Sequence, residues 1–416
     1  MRHADRVHAA VIGAGIAGLG AARALAEHCD VTLYEAAPRA GGHVHTVDAH
    51  GHAIDMGFIV CNRDRYPLFF RMLEELGIQT RPTSMAFSVA LPHEDFEWGS
   101  AGLSAVFAQR RRLLDPRHWR FLVEVVRWLG RAREDLGRHP PGAVTLDEYL
   151  TGASSDLRDR FIVPLAAALW SLAPDRCGDF PAETFLGFLD HHGMLSPTRP
   201  LAWHTVVGGS RRYVDAVVAA LQGTGRVTIR LATPVHAILR DARGVTVVTD
   251  GREARFDRVV IATHADTALA LLAPPSADER RVLGAFRYST NRTVLHTDRR
   301  FLPSRPAAHA AWNYVADPDT ARVAVTYSMT KLQGLPDAPY LVTLNPRREP
   351  ANMLADVTFA HPQFDRPALV AQQELPRLGH RDRTYYAGAH FGFGFHEDGL
   401  RSGTNAAAQL LADATR

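Results

Sequence analysis

The sequence predicts an α/β protein: a Rossmann-type dinucleotide-binding domain with a second, α+β domain inserted into it. Three observations carry this. A strand, a glycine-rich turn, a helix and a second strand open the chain. More strand-like runs recur between 227 and 262, and two long stretches of different pattern interrupt the series. At 416 residues the chain has room for two or three domains.

The opening unit is justified residue by residue. His8-Ala9-Ala10-Val11-Ile12 is a short apolar run, as expected of a strand buried on both faces of a parallel sheet. It stops at Gly13-Ala14-Gly15-Ile16-Ala17-Gly18, after which residues 19–28 have helical composition. A second apolar run at 31–34 ends in Glu35, twenty-two residues beyond Gly13. Gly13 permits the tight turn, Gly15 removes a Cβ that would block a pyrophosphate, and Gly18 lets helix and strand approach. The helix start offers free N–H groups and the positive end of its dipole, and Glu35 is placed to accept from a ribose hydroxyl. Gly13, Gly15, Ala17, Gly18 and Glu35 are therefore candidate cofactor-binding residues.

Composition narrows the class further. There are 47 basic and 44 acidic residues, a net charge of +3, with 46% hydrophobic and 22% charged residues. That is a globular balance, without the basic excess of a nucleic-acid binder. Three scattered cysteines, Cys29, Cys61 and Cys177, form neither a disulfide framework nor a zinc motif, and no metal site is expected. The start of the chain lacks a secretory pattern, and no run reaches the roughly 18–20 apolar residues that span a bilayer. The expectation is a cytoplasmic protein, with contact at the inner membrane face left open.

After Glu35 the chain continues to Arg39, Gly41, Gly42 and His43. This E-x-x-x-R-x-G-G extension resembles the signature of FAD enzymes of the flavin-containing amine oxidase, phytoene desaturase and protoporphyrinogen oxidase superfamily. Further segments follow in the order of that superfamily: Asp55-Met56-Gly57-Phe58, Gly208-Gly209-Ser210, Thr233-Pro234-Val235, Ala262-Thr263-His264, Ala387-Gly388, and Asp398-Gly399-Leu400 with Ser402-Gly403. The resemblance implies FAD rather than NAD. It implies that Arg39, Gly41, Gly42, His43 and Gly57 pass near pyrophosphate, ribityl chain and flavin, and that Val235 holds the adenine through its backbone. It places Thr263, Gly388, Asp398, Gly399, Leu400 and Ser402 around the flavin, the last of these on a helix whose N-terminus faces the ring. With all cysteines before residue 178, the FAD is expected to be non-covalent.

Stretches such as GFIVCNRDRYPLFFRMLEELGI and GAHFGFGFHEDGLRSG are most similar to a bacterial subgroup of NAD/FAD-binding oxidoreductases. Genes of that subgroup often neighbour cyclopropane-fatty-acid-synthase-like methyltransferases. The resemblance thus implies an apolar substrate, an unsaturated or modified acyl chain, and a lipid methyltransferase as a partner. Hydride removal to flavin N5 with formation of a double bond is the leading reaction. A redox-neutral fatty-acid isomerase, an amine oxidase and a non-catalytic flavoprotein are the alternatives. The amine oxidases' flavin-facing lysine could only be Lys331, the single lysine of the chain.

The FAD domain is expected over 1–62, 205–268 and 380–416, and the substrate domain over 63–204 and 269–379. Helical patterns at 66–76, 119–136 and 157–170 fill the first insertion, and strand-like runs at 293–297, 323–327 and 340–344 the second. The HFGFGFH run offers Phe391, Phe393 and Phe395 as a substrate wall, and His390 and His396 as groups that polarise substrate or move a proton. Asn62, Trp312, Tyr314 and Tyr327 are further candidates for the substrate pocket. The arginine- and tryptophan-rich stretch 103–131 fits two readings, a helix packing its aromatics inward and a helix resting on an anionic membrane surface.

Overall fold

The computed structural model describes residues 6–140, 142–170, 174–195, 201–316, 323–336 and 338–415. One layer is a five-stranded parallel sheet in the order Val227–Arg230, Asp30–Tyr34, His8–Ile12, Arg258–Ile261, Thr384–Tyr386. Its strands are apolar runs because both faces are covered, and Ala10, Val11, Leu33, Val259 and Val260 have no accessible surface. A four-stranded sheet made by Arg252–Phe256, Gly244–Thr249, Val235–Asp241 and Leu272–Ala273 lies alongside, two of its strands joined by Asp250-Gly251.

The helices Ile16–Leu25 and His396–Ala414 pack against each other. A Cβ on Gly403 would stand 2.0 Å from the Ala17 carbonyl oxygen, and one on Gly399 would stand 2.8 Å from Ile16 Cγ2. Glycine at these positions is what lets the two backbones touch, and Leu400 fills the hollow left at Gly20.

The second layer is a seven-stranded sheet in the order Met353–Gln363, Arg287–His296, Leu341–Leu344, Val323–Ser328, Trp312–Ala316, Phe87–Leu91, Phe96–Gly99. The last two strands come from the first insertion, where the sequence reading saw helices only. They join through a parallel pairing of Phe87–Leu91 with Trp312–Ala316. Phe87–Leu91 is buried at every position, so it shows no two-residue alternation to betray it. A small sheet of Cys61–Asn62, Trp203–Val206 and Thr80–Thr83 bridges the first insertion and its flanks.

Helices Pro67–Glu75, Pro116–Glu134 and Ala182–His191 cover the first insertion. Asp115 caps the second of these, its carboxylate accepting the Arg117 N–H at 2.9 Å, and Pro116 sits at the first position, where no N–H is needed. A further helical stretch widens into a π turn over Arg158–Ile162 before Val163–Trp170. Pro164 has no N–H for the carbonyl of Arg160, and Trp98 Nε1 donates to that oxygen instead, at 3.1 Å. Among the described residues no helix is long and apolar enough to cross a membrane.

Candidate active site

A cavity of about 1460 Å³ lies between the two layers. It exceeds the roughly 300–1,000 Å³ of a single-ligand pocket, so it has room for a large cofactor together with a substrate. At one end it is lined by Gly13, Gly15, Ala17, Glu35, Gly41, Gly42, His43, Gly57, Val235, Thr263 and Gly388.

This end is built by backbone. Gly13, at φ 97°, donates its N–H to the Tyr34 carbonyl at 2.8 Å, closing the turn between the first two strands. A Cβ on Gly18 would lie 1.7 Å from the Gly13 oxygen, so Gly18 serves the packing of the turn and does not line the cavity. Gly15 starts the helix Ile16–Leu25 with no side-chain cap, leaving its first N–H groups to a ligand. Gly42 faces Gly15 so closely that a Cβ on it would stand 3.0 Å from Gly15 Cα. The Glu35 carboxylate accepts the N–H groups of Ala14 at 2.7 Å and Ala37 at 2.9 Å, which fixes it at the cavity edge.

Arg39 takes a different part from the one the resemblance implies. Its guanidinium donates to the carbonyls of Val44 at 2.6 Å and Gly42 at 3.1 Å, so it braces the glycine pair from behind and lies outside the lining. Asp398, Gly399, Leu400 and Ser402 also lie behind it. Asp398 accepts from the N–H groups of Phe393 at 2.9 Å and Phe395 at 3.1 Å, shaping the aromatic loop. Ser402 Oγ accepts the Gly388 N–H at 2.9 Å and fixes that loop from below. Asp55 couples two of the sequence segments, its carboxylate accepting the Ser210 N–H at 2.9 Å and the Ser210 hydroxyl at 2.7 Å.

Six histidines line the cavity: His43, His192, His264, His361, His390 and His396. His396 stacks on Phe58 with centroids 3.8 Å apart, and its Nε2 pairs with the Tyr213 hydroxyl. His43 Nε2 donates to the Ala360 carbonyl at 3.0 Å, and His264 stacks on Tyr288 at 4.4 Å. His390 Nε2 is buried without a hydrogen-bond partner. Burial pushes the pKa of His43, His192, His390 and His396 down to about 3, and that of His361 to about 4. All are therefore neutral imidazoles at pH 7, each with one donor and one acceptor nitrogen. Among the described residues no group of three His, Cys, Asp or Glu side chains is placed to hold a metal ion.

The other end is an apolar arm. Trp98, Leu122, Val125, Leu129, Phe161, Leu165, Leu169, Trp170 and Phe188 line it, with Trp312, Tyr327, Phe393 and Phe395 toward the histidines. Tyr314 is buried in the core beside this arm, Phe391 packs against the core around Phe286, and Asn62 is buried with its Oδ1 accepting the Arg65 N–H at 2.9 Å. None of these three lines the cavity. Lys331 is exposed on the short helix Met329–Leu332 and also lies outside it, so its expected flavin-facing role has no geometric basis. Glu397, which follows His396, turns away and accepts the N–H groups of Leu68 and Phe69 at 3.0 Å each, capping helix Pro67–Glu75.

Sequence reasoning missed Phe359 and His361, which alternate along the strand Met353–Gln363 and reach the cavity. Alternation was the available signal, but Pro362 argues against a strand. The strand is at the edge of its sheet, where a residue without an N–H is tolerated.

The cradle fits an adenine–flavin dinucleotide on two counts: the Gly15 and Gly42 backbones meet at the cavity wall with no side chain between them and the cavity, and an uncapped helix N-terminus opens beside them. The profile of the flavin containing amine oxidoreductases matches residues 16–347. AofH of Mycobacterium tuberculosis, assigned as a flavin-containing monoamine oxidase, is 28% identical over 280 residues, 62% of this chain and 56% of that protein. The matched stretches span 56% or less of the curated relatives' own length. Cyclohexylamine oxidase from Brevibacterium oxydans superposes with a TM-score of 0.71 at 18% identity, covering 99% of this chain and 100% of that one. A CLA-producing fatty acid isomerase from P. acnes superposes with a TM-score of 0.68 at 17% identity, covering 97% of this chain and 98% of that one. These superpositions show a shared fold.

Proposed function

Because the chain belongs to the flavin containing amine oxidoreductase family, we propose that it is an FAD-dependent oxidoreductase acting on an apolar substrate, an unsaturated or modified fatty acyl chain. The reaction is removal of a hydride and a proton to leave a new double bond. The observation that carries the substrate class is the apolar arm. Glu35, at the ribose end, is the one carboxylate among the described lining residues, and the arm itself offers no charged partner for an ammonium group.

FAD supplies the hydride acceptor when bound. The protein supplies the rest. Gly15, Gly42 and the N–H groups of the helix start hold the pyrophosphate, Glu35 the ribose and Val235 the adenine. The three cysteines are buried and outside the lining, which favours a non-covalent cofactor. The arm excludes water and extends the acyl chain, so that the reacting carbons are held in one orientation. His390, a neutral imidazole of the lining, is the group through which the proton passes onward rather than one that holds it, since its burial disfavours the charged form. His396 is held in place by Phe58 and Tyr213 and forms the wall opposite.

A second reading, a redox-neutral double-bond isomerase, is favoured by the superposition on the fatty acid isomerase. Anaerobic addition of unsaturated fatty acids and phospholipids separates the readings. Loss of the oxidised flavin band with a product lighter by two hydrogens supports the oxidoreductase. An unchanged band with a shifted double bond supports the isomerase. Bleaching by monoamines or polyamines, with no response to any acyl chain, refutes the substrate class.

A further inference from the structure

The apolar arm ends at the helix Pro116–Glu134, and this helix does not cover it. Leu122, Val125 and Leu129 face the cavity, whereas Val126 both lines it and is 61% exposed, which places Val126 at a mouth. Trp119, Val123 and Val126 follow one another at the spacing of a single helical face, and that face points away from the protein. Beside it the segment 103–114 exposes Leu103 by 78% and Leu114 by 90%. Six of the eleven large hydrophobic residues exposed among the described residues fall within the 24 positions from 103 to 126. A soluble surface that gathers its apolar side chains in this way marks an interaction site.

Charge identifies the partner. Residues 103–134 carry eight arginines and three acidic residues. Arg111, Arg112 and Arg117 are paired with Asp95, Asp115 and Asp156. Arg110, Arg120, Arg127, Arg131 and Arg133 are exposed and form no ion pair among the described residues. On the helical wheel Arg120, Arg127 and Arg131 flank one side of the Trp119–Val126 face, while the cavity-lining Leu122, Val125 and Leu129 flank the other. An apolar stripe, a row of unpaired arginines and the opening of an apolar cavity thus share one side of one helix.

We propose that this side docks on an anionic lipid bilayer, with Leu103, Leu114, Trp119, Val123 and Val126 in the interface and the arginines at the headgroups, so that the mouth opens toward the acyl region. An amphipathic helix of this kind buries its apolar face at the headgroup boundary, and anionic lipid strengthens the attachment. The inference deepens the acyl-chain reading, but it is measured without turnover, so either can fail alone.

The test is flotation of the FAD-loaded protein with vesicles of phosphatidylcholine, alone or mixed with phosphatidylglycerol. Binding should be at least about tenfold tighter to the mixed vesicles and should weaken as salt is raised. The triple variant Leu103→Glu, Leu114→Glu, Val123→Glu should lose binding without change in flavin absorbance or melting temperature. Replacing Arg120, Arg127 and Arg131 by glutamine should weaken binding roughly fivefold per arginine and abolish the preference for anionic lipid. No binding to the mixed vesicles, or equal binding by both variants, would overturn the proposal. So would a concentration-dependent dimer that the apolar-face variant converts to monomer, since the face would then belong to a second copy.

Discussion

Replacing Gly15 with alanine separates cofactor binding from folding, because the two demands meet different atoms. At Gly15 the backbone is extended, with φ −72° and ψ −179°, a conformation alanine adopts freely. The nearest atom to an added Cβ is Gly42 Cα at 3.9 Å, an ordinary contact. Alanine is a poorer helix N-cap than glycine by about 1 kcal/mol, partly offset by the lower entropy of the unfolded chain, so the net loss stays within about 1 kcal/mol. The same methyl stands on the cavity lining at the uncapped helix N-terminus, where the pyrophosphate must approach the backbone. A tenfold to hundredfold weaker FAD affinity is expected, about 1.4–2.7 kcal/mol. At Gly18 the outcome reverses, since a Cβ would sit 1.7 Å from the Gly13 oxygen, a backbone atom that cannot step aside. Gly18→Ala should cost roughly 3 kcal/mol or more through overpacking. Titration of apoprotein with FAD by quenching of flavin fluorescence, with thermal melts beside it, measures both. If Gly15→Ala binds FAD as tightly as the parent while remaining folded, the cradle has been placed wrongly.

Other outcomes follow from the same geometry. His390→Phe removes a buried nitrogen without a partner, so it should be neutral or stabilising by about 1 kcal/mol in urea while lowering turnover about 10²- to 10⁴-fold; a large loss of stability would show that Nε2 is bonded after all. Unfolded histidines titrate near 6.5, whereas His43, His192, His390 and His396 in the fold titrate at about 3 because they are buried. The unfolded chain therefore binds more protons between those values, and the unfolding free energy from urea titration should fall as pH drops below 6.5, by about 1 kcal/mol per pH unit for each such histidine. A flat profile from pH 7.5 to 5 contradicts the burial. Asp55→Ala leaves the Ser210 N–H and the Thr46 hydroxyl without their acceptor, and the Ser210 hydroxyl with only the Phe58 carbonyl at 3.3 Å, and should lower stability by about 3 kcal/mol or more in the same melts. A loss below 1 kcal/mol would mean that water replaces the carboxylate.

What the sequence discloses and what it hides differ in physical kind. The glycine turn, Glu35 and the strand that carries them are legible because their order along the chain is local, even though the turn itself packs on distant backbone at Ala262 and Gly42. Gly399 and Ser402 were legible as a motif, but their partners, Ile16 and Gly388, are set by packing, and the structure makes them supports of the site. The apolar arm was not legible. Its walls come from helices and strands more than a hundred residues apart, and a cavity-facing residue such as Leu122 has the same pattern as a core residue such as Phe121 on the same helix. The strand Phe87–Leu91 escaped for a related reason, since burial on both faces erases the alternation that marks a strand. Lys331 shows the opposite error: rarity drew notice to a residue that the fold leaves in solvent.

The seam between helix Ile16–Leu25 and helix His396–Ala414 bears on how the protein is made. The glycine turn leaves the ribosome early, but the helix that backs it, and the strand Thr384–Tyr386 that flanks its sheet, emerge only after some 350 further residues have been translated. Until then one flank of the turn's helix is bare, and the groove shaped for Leu400 stays open. Loading with the yellow dinucleotide is thus a late event of synthesis, and a nascent chain stalled short of residue 384 should stay colourless and in the care of chaperones.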